Sequence, residues 1–105
     1  MKYKGFVEKE NIKDASFLNF TQILKEGNGK VIFECEDDIA PAVALEMSEE
    51  FHPGSHFGVV RNEEEVNIVF PQKVFTYTVR DSHTKEQMIK YGETLGISPK
   101  ELEIF

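Results

Sequence analysis

At 105 residues the chain is long enough for one domain with a single modest core, spanning residues 1–105. A hydrophobic content of 40%, with nine phenylalanines, excludes a disordered acidic tail. The net charge of −7 speaks against an unaided nucleic-acid binder, which needs clustered lysine and arginine, and the one cysteine, Cys35, excludes an intrachain disulfide.

No apolar run approaches membrane-spanning length, and the first residues lack the apolar core of a signal peptide. The expected location is therefore a reducing compartment, most simply the cytoplasm.

Tyr3 to Glu8 is short and β-leaning, an opening strand. Asp14 is placed to cap a helix running to about Glu26, because Phe17, Phe20 and Leu24 recur at three- and four-residue spacing. Gly27-Asn28-Gly29 would stop that helix. Lys30 to Glu36 alternates, with Val31, Phe33 and Cys35 on one face, and reads as a strand.

Asp37-Asp38 is expected to open a second helix, where carboxylates satisfy free amides and the positive end of the dipole. Pro41 is tolerable only in its first turn. Val43, Met47 and Phe51 form the inner stripe, Ala40 and Ala44 allow close packing, and Glu46, Glu49 and Glu50 lie largely outside. His52-Pro53-Gly54-Ser55 ends the helix.

From His56 to Arg80, three β-rich runs are separated by two polar breaks, the pattern of an antiparallel meander. Val66, Ile68 and Phe70 share one face of the middle run, opposite Asn67 and Val69; Phe75, Tyr77 and Val79 share one face of the last. Glu63, Glu64 and Glu65 must lie in water or meet a basic partner. Pro71 cannot supply positive φ, which predicts a wide second loop.

A third helix starts at a cap on Asp81 or Thr84, the latter in a capping box with Gln87. Met88, Ile89 and Leu95 supply its apolar contacts, and Gly96 ends it. Ser98-Pro99-Lys100-Glu101 has the chemistry of a helix start, yet Glu101 to Phe105 alternates, and a short final strand is expected. The expected fold is α+β: a mixed, mainly antiparallel sheet in the order β-α-β-α-β-β-β-α-β, with three helices packed mainly on one face.

Several constellations mimic chemistry. Tyr91, Gly92, Leu95, Gly96, Ile97, Leu102 and Phe105 fall at helix-turn-helix spacing, but Glu101 and Glu103 sit where bases and phosphates would be read. His52 and His56, near Glu49 and Glu50, carry zinc-ligand chemistry, but Pro53 and Gly54 break the spacing. Asp81-Ser82-His83 has triad residue types that cannot converge from adjacent positions, and Gly54-Ser55-His56 is no nucleophile elbow. Cys35 reads as inert core. No catalytic residue, metal site or cofactor is assigned.

What remains is the acid distribution. Acidic patches at Glu34 to Asp38, at Glu46, Glu49 and Glu50, and at Glu63 to Glu65 suit a small acidic protein-binding module. By analogy of class, the expected role is a stoichiometric inhibitor, or an immunity- or antitoxin-type partner, of a basic toxin or nuclease. The expected contacts are drawn from Asp37, Asp38, Glu46, Glu49, Glu50, Glu63, Glu64 and Glu65. Two alternatives are a ligand- or metal-binding pocket or enzyme around His52, Ser55, His56 and Tyr77, and a DNA-binding regulator using the tail.

Overall fold

The computed structural model describes residues 2–105. A six-stranded, wholly antiparallel sheet runs through the molecule: β1 Lys2–Glu8, β2 Gln22–Gly27, β3 Lys30–Glu36, β4 Gly58–Arg61, β5 Glu65–Phe70 and β6 Lys73–Thr78, in the spatial order β2-β3-β1-β4-β5-β6. Three helices pack against it: α1 Ala40–Glu50, α2 Ser82–Thr94 and α3 Pro99–Glu103. The α+β class is as expected, while the element order differs at two places.

The helix expected from Asp14 to Glu26 does not form. Asp14 accepts from the Ser16 amide and starts a 3-10 turn over Ser16–Phe20; the chain then extends as β2. Asn28 and Gly29 both take positive φ, 54° and 77°, between the paired residues Gly27 and Lys30. That is the two-residue hairpin for which Asn-Gly is suited, not a helix stop. The final strand is also replaced. Ser98 and Glu101 form a reciprocal capping box, so the tail is α3, and Leu102 is fully buried.

Helices lie on both faces of the sheet rather than mainly on one. On the first face Val43, Ala44, Met47 and Phe51 of the α1 region pack with Phe17 over Val7, Val31, Phe33 and Cys35. On the second, Met88, Ile97 and Leu102 pack over Val59, Val66, Ile68, Phe70 and Tyr77. Strand alternation assigns each side chain to its face, so the meander reads as expected from its sequence, except that β6 ends at Thr78 and leaves Val79 exposed.

Because every member of the second cluster within the sheet comes from β4 to β6, α2 and α3 cover mainly that half, with the tail reaching a cleft beside Phe6 and Glu8 of β1. Lys2, Lys4 and Phe6 of β1 and Ile32, Glu34 and Glu36 of β3 share the open half. The edges are β2 and β6. A register shift between Ile23 and Lys25 disrupts the β2 edge, a feature that discourages edge-to-edge pairing.

Three smaller expectations are corrected. The β5–β6 loop is not wide: Phe70 pairs with Lys73, and Gln72 rather than Pro71 supplies the positive φ, 61°, as in a type II turn. The first helix residue of α1 follows Ile39, not Asp37 or Asp38, and no side chain caps that end. By contrast Asp81 does cap α2, accepting from the Thr84 amide at 3.0 Å and its hydroxyl at 2.7 Å; these bonds hold the Asp81 carboxyl below its usual range. Gln87 lies beside His83 rather than closing a capping box with Thr84.

Candidate functional site

The exposed side of α1 carries acids and no lysine or arginine. Its inner residues Ala40, Val43, Ala44, Met47 and Ser48 are buried, which turns Pro41, Ala42, Leu45, Glu46 and Glu49 to solvent. Asp37 and Asp38 are exposed in the turn that precedes it, and Glu50 is half-buried at its end.

The segment that contains α1 holds an excess of acid, five of whose carboxylates (Asp37, Asp38, Glu46, Glu49 and Glu50) belong to α1 and the turn before it. From residue 31 to residue 60 there are seven acids and no lysine or arginine, which accounts for the entire −7; the rest carries twelve acids and twelve bases. The last turn of α1 holds no basic residue, although the negative end of the helix dipole favours one. Glu49 and Glu50 therefore work against the helix they sit on.

The eight expected contact residues are not one surface. Glu65 is brought to the α1 side, where Tyr3 Oη donates to its Oε1 at 2.8 Å. Asp37 is close enough to the same phenol for its charge to be felt. Burial, the Glu65 hydrogen bond and these negative charges push the Tyr3 phenol up to about 12. Glu63 goes elsewhere: it lines a cleft with Lys2, Lys4 and Arg61 on the opposite, open face. Glu64 is exposed at the β4–β5 tip, which Asn62 Oδ1 organises by accepting from the Glu64 and Glu65 amides. Strand alternation likewise separates Glu34 and Glu36, which meet Lys2, from the α1 side.

The raised Tyr3 pKa has a sign that can be tested. The folded state holds the phenolic proton more tightly than the ordinary value near 10 allows the unfolded chain. The resulting stability is complete below about pH 10 and is lost as pH climbs towards about 12. Urea unfolding across this range should show a decline that is shallower in Tyr3→Phe; equal slopes would contradict the assignment.

An exposed apolar residue sits among the α1 acids, and it is not an aromatic one. Phe51 and Tyr77 are buried, and Phe57 packs against the second core. Leu45 instead is 56% exposed, one turn from Glu49. The sequence signal for it was present: Leu45 is out of phase with the Val43–Met47–Phe51 stripe.

The alternative sites do not assemble. His52 and His56 are exposed, and no group of three or more potential metal-ligating side chains is found among the described residues. Ser55 is buried, with its hydroxyl donating to the Asn11 carbonyl at 3.1 Å. Tyr77 pairs with Val66 at the Arg61 end of β4, whereas His56 precedes the other end. Cys35 is 4% exposed, and burial pushes its thiol up, away from the reactive thiolate. The tail does form two helices joined by a turn at Gly96, with Gly92 against the buried Leu102, but α3 is five residues long and exposes Glu101 and Glu103.

Tyr77 carries a separate cost. It is 3% exposed, and its hydroxyl is buried with no hydrogen-bond partner among the described residues. Tyr77→Phe is expected to raise stability by about 1 kcal/mol by deleting an unpaired polar group while keeping the ring. Chemical denaturation measures this, and a comparable loss would mean that the hydroxyl is satisfied in solution.

No known protein family matches the chain, and no curated protein or solved structure is significantly similar to it.

Proposed function

We propose that this chain is a stoichiometric protein-binding module of the cytoplasm, an inhibitor or immunity-type partner that occupies the cationic cleft of a basic toxin or nuclease. The observation that carries this reading is the run of Asp37, Asp38, Glu46, Glu49 and Glu50 along α1 and its leading turn, in a segment without lysine or arginine, with last-turn acids that oppose their own helix dipole. Charges that cost the fold stability are accounted for when a partner uses them. Complementary fields accelerate encounter and select against wrong partners, and such work needs no catalytic residue.

In this reading Glu46, Glu49, Asp38 and Asp37 form the centre of the contact, with Leu45 as its apolar anchor and Glu50 and Glu65 at its edge. Glu63 is excluded because it faces the other side of the sheet, and Glu64 remains peripheral at the tip.

Affinity capture of the tagged chain from its native lysate, at low and at moderate salt, tests the proposal. The expected result is one basic protein in equal proportion, with recovery that falls as salt screens the contact. Recovery of no protein at low salt would overturn the reading.

A further inference from the structure

The open half of the second face, unlike the α1 side, carries cations as well as acids: Lys2, Lys4 and Arg61 beside Glu34, Glu36 and Glu63. A cleft of about 560 Å³ lies there, lined by Lys2, Lys4, Arg61, Asn62 and Glu63. Lys4 of β1 and Arg61 of β4 are direct cross-strand partners. Such partners have Cβ atoms about 5 Å apart, and like charges directly opposite each other destabilise a sheet.

The local carboxylates do not relieve this pair. Glu34 is the partner of Lys4 on the other side, but its carboxylate lies 3.2 Å from Lys2 Nζ, with Glu36 also reaching Lys2 at 3.9 Å. Among the described residues neither Lys4 nor Arg61 has a carboxylate at ion-pair distance. Arg61 is nonetheless held in place: its Nε donates to the Asn62 carbonyl at 3.2 Å, which leaves both Nη groups for another acceptor. On the same cross-sheet row, Tyr77 keeps its unpartnered hydroxyl close enough to Arg61 to feel the guanidinium charge.

We propose that this cleft is a binding site for a small phosphate-bearing ligand, gripped between Lys4 and Arg61 with Lys2 at its rim. An arginine fork beside a lysine point charge is suited to phosphate oxygens, and a bound phosphate removes the repulsion between the two cations. The cleft has the size of a small-molecule site. Glu63 at its rim and the net charge of −7 repel a long polyanion, so the phosphate belongs to a small molecule rather than to a nucleic-acid backbone.

Inorganic pyrophosphate is the probe, titrated into the 15N-labelled chain at constant ionic strength. The expected result is a saturable shift of the Lys4, Arg61 and Asn62 amides. Binding should weaken at least tenfold in Lys4→Gln/Arg61→Gln and remain unchanged in Lys25→Gln/Lys30→Gln, whose lysines stand elsewhere on the sheet. The Lys4→Gln/Arg61→Gln variant should also melt no lower than the wild type without ligand, because it removes a like-charge pair. A non-saturable response, undiminished binding in that variant, or a large drop in its own melting temperature would each overturn the proposal. So would tighter binding of a single-stranded oligonucleotide than of pyrophosphate.

Discussion

Replacing Glu46 and Glu49 together by lysine is expected to weaken partner binding by about 100-fold or more, since two close charge pairs at an interface contribute on the order of 3 kcal/mol or more in total. Both carboxylates are on the exposed side of α1, so their removal leaves the core packing intact. Folding stability should not fall with affinity. Glu49 lies in a last turn that has no basic residue, and a lysine there would meet the favourable end of the dipole, a gain of about 0.3–1 kcal/mol. Isothermal titration against the captured partner, alongside urea denaturation, reads both quantities. Weaker binding in an equally or more stable protein separates a contact from a folding defect; undiminished affinity would remove α1 from the interface.

Gly5→Ala is expected to be the most damaging single methyl addition, costing about 3 kcal/mol, at the upper end of the range for overpacking. Gly5 pairs directly with Phe33 across β1 and β3, and a Cβ at Gly5 would overlap carbons of the Phe33 ring. That ring is fully buried beneath the α1 layer, so it has no open space into which to move. Thermal unfolding should shift down by more than about 10 °C for a chain of this size. Gly5→Ala/Phe33→Leu should recover part of the loss, and Gly27→Ala, where nothing lies within 4 Å of the added carbon, should be close to neutral. A mild Gly5→Ala would mean that the β1–β3 pairing adjusts more freely than a close-packed core permits.

The meander and α1 are legible because their burial is periodic. Val66, Ile68 and Phe70 alternate with residues of the other face, and Val43, Met47 and Phe51 repeat at helical spacing. Residues 14–27 are not, because β2 is exposed along its whole length and has no buried face to impose alternation. Its state follows from hydrogen bonding to β3, a tertiary effect that overrides the Phe17–Phe20–Leu24 spacing. Asn28-Gly29 was the local sign that a hairpin, not a helix end, lay there. At the tail, alternation misleads: Leu102 is buried but Ile104 is 76% exposed, and the Ser98–Glu101 capping box decides the outcome.

The candidate site is legible in composition and not in geometry. The acids can be counted from sequence, but their grouping depends on which face each strand residue takes and on where the helices dock. That is why Glu63 leaves the proposed surface for the Lys4–Arg61 cleft, and why Glu65 becomes a partner of Tyr3. The basic cleft joins residues from β1 and β4, more than fifty positions apart in the chain, and no local pattern announces such a pairing.

The most direct test of the central claim is a paired capture that uses the wild type and an Asp38→Asn/Glu46→Gln/Glu49→Gln variant as baits from the same lysate. Both should show the same folded spectrum. A basic protein should be recovered in equal proportion by the wild type and lost with the neutralised α1 face. Equal recovery of that protein by both baits would contradict it.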